Sequence, residues 1–121
     1  MKVGIAGPIS VRMLAGRITG GEELPEVYSF PFIAQLALAL LNKGHEVSVF
    51  ALSQEIRTRQ RWSGAGLTVH VCPMRPRARH RALDLFARER VALKEAMVQD
   101  PCDVIHAHWT YEFALAALAS G

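Results

Sequence analysis

The run His106-Ala107-His108-Trp109 gathers the most versatile chemistry of the chain into four consecutive residues. An imidazole donates or accepts a hydrogen bond near neutral pH, and an indole offers an apolar wall with one N–H donor. In a strand, alternate residues share a face, so Val104, His106 and His108 point one way and Ile105 and Ala107 the other. His108 and Trp109 then stand where the strand meets its loop. From that position His108 can hydrogen-bond a sugar hydroxyl or stabilise a leaving phosphate, and Trp109 can line an acceptor pocket. For His106, a core histidine bonded to backbone is the more economical reading. Two histidines on one face are half a metal-ligand set, and no carboxylate or thiol has matching spacing, so no metal is expected. Tyr111 borders the same pocket or simply packs. Glu112, at the start of a helix, is accounted for by the helix dipole.

Gly20-Gly21 is the second feature with chemical potential. Paired glycines let backbone approach a ligand and can aim N–H groups at a phosphate, while a plain turn is the competing reading. Gly4, Gly7 and Gly16 fit neither G-x-G-x-x-G nor G-x-x-x-x-G-K-[ST], which disfavours an NAD-type site and Walker-type phosphoryl transfer. His45 reads as a turn and strand-entry residue. Neither Ser10 nor Ser53 has the surroundings of a nucleophile.

The elements that must position these residues alternate. Lys2–Gly7 reads as a buried first strand, followed by a long glycine-bearing stretch. Ser29 can cap a helix with Pro31 in its first turn, and Phe32, Ile33, Leu36, Ala37, Leu40 and Leu41 give it one apolar face that stops at Gly44. Glu46–Leu52 is a second strand and Leu67–Cys72 a third, while Ser53–Arg61 carries no pattern that decides between a short helix and a loop. An arginine-rich loop leads to a helix from about Ala82 to Gln99, with Leu83, Phe86, Leu93 and Met97 as its core stripe and Arg90 at the margin. Val104–His108 is the fourth strand, and a last helix runs to Ser120-Gly121.

Strands alternating with helices imply an α/β fold with parallel crossovers. Numbered along the chain, about four strands are expected in the order 3-2-1-4, a Rossmann-like doubly wound parallel sheet. The topological switch then lies between strands 1 and 4, and ligands are expected at their carboxyl ends.

Composition agrees with a packed domain: 121 residues, 50% hydrophobic and 21% charged. The longest nearly apolar stretch, Phe32–Leu41, falls well short of the ~20 residues that span a bilayer, and the start of the chain lacks the pattern of a signal peptide. With two cysteines in no metal or disulfide pattern, a cytoplasmic location is expected. The net charge is +3, and Arg57, Arg59, Arg61, Arg75, Arg77, Arg79 and Arg81 supply half of the 14 cations. Such a block could face phosphates, an anionic membrane surface or nucleic acid, or could be a solvated loop. Trp62 is the one aromatic residue among these arginines, which argues against a nucleic-acid stacking platform.

The opening strand, the Gly-Gly loop, the segment Ala39–Val47 (A-L-L-N-K-G-H-E-V) and Asp103–Trp109 (D-V-I-H-A-H-W) together resemble the N-terminal domain of GT-B glycosyltransferases. The closest likeness is to the retaining family 4, and it runs along nearly the whole chain. The resemblance implies transfer of a sugar from a nucleotide-sugar donor to an acceptor hydroxyl with retention, usually without a metal or other cofactor. It implies that this domain shapes the acceptor site and that the glycine loop, matched by Gly20 and Gly21, approaches the donor phosphate. It implies that a histidine after the fourth strand, His108 first and His106 second, contacts the donor sugar. It also implies a C-terminal domain holding the nucleotide through an arginine, a lysine and a Glu-x7-Glu stretch, none of which occurs in these residues. The chain is therefore expected to be a truncated N-terminal part, inactive alone, whose fourth strand is an open edge that invites self-association. Docking at the inner membrane face would suit the basic block. The alternative is a stand-alone flavodoxin-like module that binds a small anion or a protein.

Overall fold

The computed structural model describes residues 1–25, 27, 31–108 and 110–121, the side chains of 110 and 111 excepted. Five strands form one sheet: β1 Lys2–Ala6, β2 Glu46–Ser53, β3 Gln60–Gly64, β4 Leu67–Pro73 and β5 Val104–Ala107. The helices are α1 Pro31–Asn42, α2 Ala78–Leu83, α3 Ala87–Gln99 and α4 Leu115–Ala119, and a π-helical turn, Thr110–Ala114, leads into α4. Two 3-10 turns, Val11–Arg17 and Gly21–Glu23, fill the stretch between β1 and α1.

The strand order is β3-β4-β2-β1-β5. The four parallel strands take the expected doubly wound order, with β1 between β2 and β5 and β4 outside β2. The correction is β3, an antiparallel edge strand that makes the sheet five-stranded. Its sequence, Q-R-W-S-G, has no apolar run. Only half-buried Trp62 turns toward the core, and the two-residue Ala65-Gly66 turn pins β3 to β4.

Both faces of the central strands are covered, which is why β2 is buried at every position after Glu46. One face carries Val3, Ile5, Val47, Val49, Leu67 and Val69 against Val11, Leu14, Ile33, Ala34 and Ala37. The other carries Ala6, Phe50, Leu52 and Cys72 against Leu93, Ala96, Met97, Phe113 and Ala116. Helix α1 closes where expected. The N–H of Gly44 donates to the Leu41 carbonyl and that of His45 to the Leu40 carbonyl, pairing the last free acceptors of the helix.

Two expected core residues lie elsewhere. Phe32 is 60% exposed, because the buried line of α1 runs through Ile33, Ala34 and Ala37 and a helix turns about 100° per residue. Leu83 is 80% exposed, because the helix expected over 82–99 is broken at Asp84–Phe86. Leu85 and Phe86 take left-handed backbone there (φ 53° and 60°), and a carboxylate oxygen of Asp84 accepts the N–H of Ala87 as α3 begins. The break puts Leu83 out of phase with Leu93 and Met97, which are buried as expected. The Ser29 cap lies outside the described residues. Among the described residues no helix is long and apolar enough to cross a membrane.

Candidate functional site

Because β1 and β5 are parallel neighbours paired Ala6 to Ala107, their carboxyl ends deliver Gly7 and His108 side by side. The His108 N–H extends the ladder by donating to the Ala6 carbonyl at 2.7 Å, and the Gly7 N–H donates to that of Phe50 at 3.2 Å. The approach is close enough to need a glycine. A Cβ on Gly7 would stand 2.9 Å from the His108 Cβ. The packing shields His108 Nε2, which is buried and has no hydrogen-bond partner among the described residues. Burial lowers the pKa of His108, and neighbouring His106, whose ring centroid is 4.2 Å away, lowers it further. The lowered pKa favours the neutral imidazole, one of whose nitrogens is shielded and unpaired among the described residues, and an unpaired buried polar atom calls for a partner.

His106 is not the buried histidine the sequence favours. It is exposed, because β5 is an edge strand of only four residues whose His106 face the α1 layer does not reach. Trp109 and the side chain of Tyr111 lie outside the described residues. Glu112 is 9% exposed rather than simply capping a surface helix, and burial raises its pKa.

Gly20 and Gly21 lie at the other side of the sheet. Gly20 has left-handed backbone (φ 75°) and faces Trp62 of β3, the Thr19 N–H donates to the Ser63 carbonyl, and a Cβ on Gly21 would overlap the Ala15 carbonyl. β3 and β5 are opposite edges, four strand spacings or about 19 Å apart. The glycine next to the histidine is Gly7, and the pair at 20–21 serves the packing of the 3-10 turns on β3. A close approach across the sheet is not a spacing signal, so sequence could not reveal it.

The arginines do not form one patch. Arg59 donates to Gln99 at 2.6 Å, and Arg75 is internal: it donates to both oxygens of Asp84 (2.7 and 2.8 Å) and to both oxygens of Glu89. Glu89 is fully buried. Burial alone would raise its pKa, but hydrogen bonds from the side chain and N–H of Arg75 outweigh this and lower it. Asp84 is held at about 2, chiefly by the hydrogen bonds from Arg75.

A second buried cluster joins β1, β2 and β4 to the end of α3. Asp100 accepts from Ser48 Oγ (2.6 Å), pairs with His70 Nε2 (2.8 Å) and forms an ion pair with Lys2. Ser48 and His70 both bond the carboxylate rather than each other, so this is no nucleophile–base relay. It is an anchor. Burial pushes the Asp100 pKa up, and the three donors more than offset this to hold it at about 2. A folded pKa below the unfolded value of 3.8 means stability that is present above pH 4 and lost as pH falls toward 2. The shift amounts to about 2 kcal/mol, and His70, whose pKa burial lowers, adds a loss that begins below 6.5. Asp100→Asn should flatten the part of this profile below pH 4 in urea unfolding; an unchanged acid limb would detach Asp100 from it.

The described residues hold no group of three His, Cys, Asp or Glu side chains placed to share a metal. The site offers hydrogen bonding by the His108 imidazole at the carboxyl edge of a doubly wound sheet. No curated protein and no solved structure matches the chain. The sequence model of Glycosyltransferase Family 4 matches residues 31–121, a span that holds α1, four of the five strands and His108. With that match over most of its length, and with the α/β fold and parallel sheet the resemblance implied, the chain belongs to glycosyltransferase family 4.

Proposed function

We propose that the chain is the acceptor-side part of a GT-B glycosyltransferase that moves a sugar from a nucleotide-sugar to an acceptor hydroxyl with retention, and that it needs a C-terminal nucleotide-binding domain for activity. The observation that carries this reading is the shielded Nε2 of His108, unpaired among the described residues, beside Gly7 at the switch point of a family-4 sheet. In this reading His108 contacts the donor sugar, and His106, Trp109 and Tyr111 border the acceptor. The turn that begins at Gly7, rather than Gly20 and Gly21, approaches the donor phosphate. Gly7→Ala in the whole enzyme should lower turnover about tenfold or more by displacing the imidazole, and the clash with the His108 Cβ should lower the melting temperature as well. Full turnover in that variant would separate the contact from the chemistry.

The same proposal places the protein in the cytoplasm with a peripheral contact to an anionic membrane. Leu83 and Leu85 are 80% and 58% exposed and follow the exposed Arg77 and Arg79 by a few residues in the chain. Sedimentation with phosphatidylserine vesicles should be lost in the double variant Leu83→Asp, Leu85→Asp; equal sedimentation of both proteins would exclude α2 as the contact.

A further inference from the structure

We infer that a cleft at the carboxyl ends of β2 and β4 binds a compact anionic group, the phosphate or carboxylate of the acceptor, between Arg57 and Arg88. The identification of the occupant as an acceptor rests on the transferase reading above; the anion site stands on its own geometry.

The cleft measures about 310 Å³, the size of a small-molecule subsite. Its apolar wall is Ile56, Pro73 and Met74, and its polar rim is Gln54, Arg57 and Arg88. It opens on the edge of the sheet that carries Gly7 and His108. In the order β4-β2-β1-β5 it lies only one or two strand spacings, about 5–10 Å, from Gly7. His108, after β5, stands one spacing further, about 10–15 Å away, so an acceptor must span that distance to reach the imidazole.

Charge selects the occupant. Three arginines and one carboxylate line the cleft. The carboxylate, Glu89, is fully buried and has both oxygens bonded by Arg75, so that ion pair is closed on itself. Arg57 and Arg88 are exposed and have no hydrogen-bond or ion-pair partner among the described residues. Arg88 also stands in the first turn of α3, where the helix dipole favours an anion over a cation. An arginine that breaks this rule lines the cleft together with a second unpaired arginine, and planar guanidinium groups match phosphate and carboxylate oxygens.

The test is titration of the chain with inorganic phosphate, followed by calorimetry at low ionic strength, with acetate as the carboxylate probe. Saturable binding is expected, weakened about tenfold by Arg57→Ala or Arg88→Ala. Lys94→Ala should leave it unchanged, since Lys94 is an exposed cation of α3 outside the cleft and removes the same charge. A second arm adds vesicles of phosphatidic acid in phosphatidylcholine. Vesicle binding that needs both arginines and is competed by phosphate puts the anion on a lipid headgroup; phosphate binding without such competition puts it on a soluble acceptor. No saturable binding of either probe, or binding indifferent to both arginines, overturns the inference. Neither arm reads sugar transfer, so a chain that binds phosphate in this way but belongs to a protein that transfers no sugar would overturn the transferase reading alone.

Discussion

In the whole enzyme, His108→Ala is expected to reduce kcat on the order of 10²-fold, about 3 kcal/mol of barrier, while the chain stays folded. The backbone of His108 is held by the Ala6 carbonyl and its Cβ by Gly7, so alanine keeps the strand end in place and removes only the ring. What disappears is a neutral hydrogen-bonding group in a shielded position, where water cannot substitute for it. The pH profile gives a second readout. Burial and His106 lower the His108 pKa below 6.5, so the ring charges only in acid. An acid limb in kcat/KM with its midpoint below 6.5 is expected in the native enzyme and should vanish in His108→Ala. Equal turnover at all pH values would take His108 out of the site.

Arg75→Ala is expected to destabilise the chain by about 3–5 kcal/mol, among the largest single effects available in this fold. Arg75 is the sole hydrogen-bonding side-chain partner found for the fully buried Glu89, and it also ties Asp84 to the break between α2 and α3. Its loss leaves the buried carboxylate with backbone donors only and frees the segment that caps α3. Lysine should rescue little, because one ammonium cannot span two carboxylates with four hydrogen bonds. The pH dependence should change sign. In the native chain the Glu89 and Asp84 pKa values are depressed, so their contribution is present above about pH 4.5 and is lost in acid. In Arg75→Ala the side-chain donors are gone and only backbone N–H groups, that of residue 75 among them, still oppose burial, so the Glu89 pKa rises. The variant should then be least stable at neutral pH and recover as pH falls and Glu89 takes up a proton. Urea midpoints between pH 4 and 8 report this directly, and parallel profiles for both proteins would contradict the assignment.

The two largest effects fall on residues of very different legibility. His108 stands out in sequence because it sits in a strand-end motif, and the order of the parallel strands follows from their alternation with helices. The charge networks do not. Asp100 meets partners 98, 52 and 30 residues away in the chain, and no local period encodes such a meeting. Arg75 reads in sequence as one more member of a basic block, yet it is consumed inside the fold. Its hydrogen bonds to Asp84 and Glu89, which only the fold brings together, distinguish it from Arg57 and Arg88. β3 escapes because an edge strand needs one apolar face residue, here Trp62, rather than a run. Leu83 is misplaced by a helical period carried across a break that depends on Asp84 and two left-handed residues. The Gly20-Gly21 pair shows the opposite case, a motif visible in sequence that the fold packs against β3, at the opposite edge of the sheet from β5.

The central claim is that this sheet edge belongs to a retaining sugar transferase, and anomeric analysis of the product tests it most directly. The whole protein is incubated with α-linked nucleotide-sugars and candidate acceptors, and the new glycosidic linkage is read by proton NMR. The account predicts an α-linked product whose formation depends on His108. A β-linked product, or no transfer from any nucleotide-sugar, would contradict it.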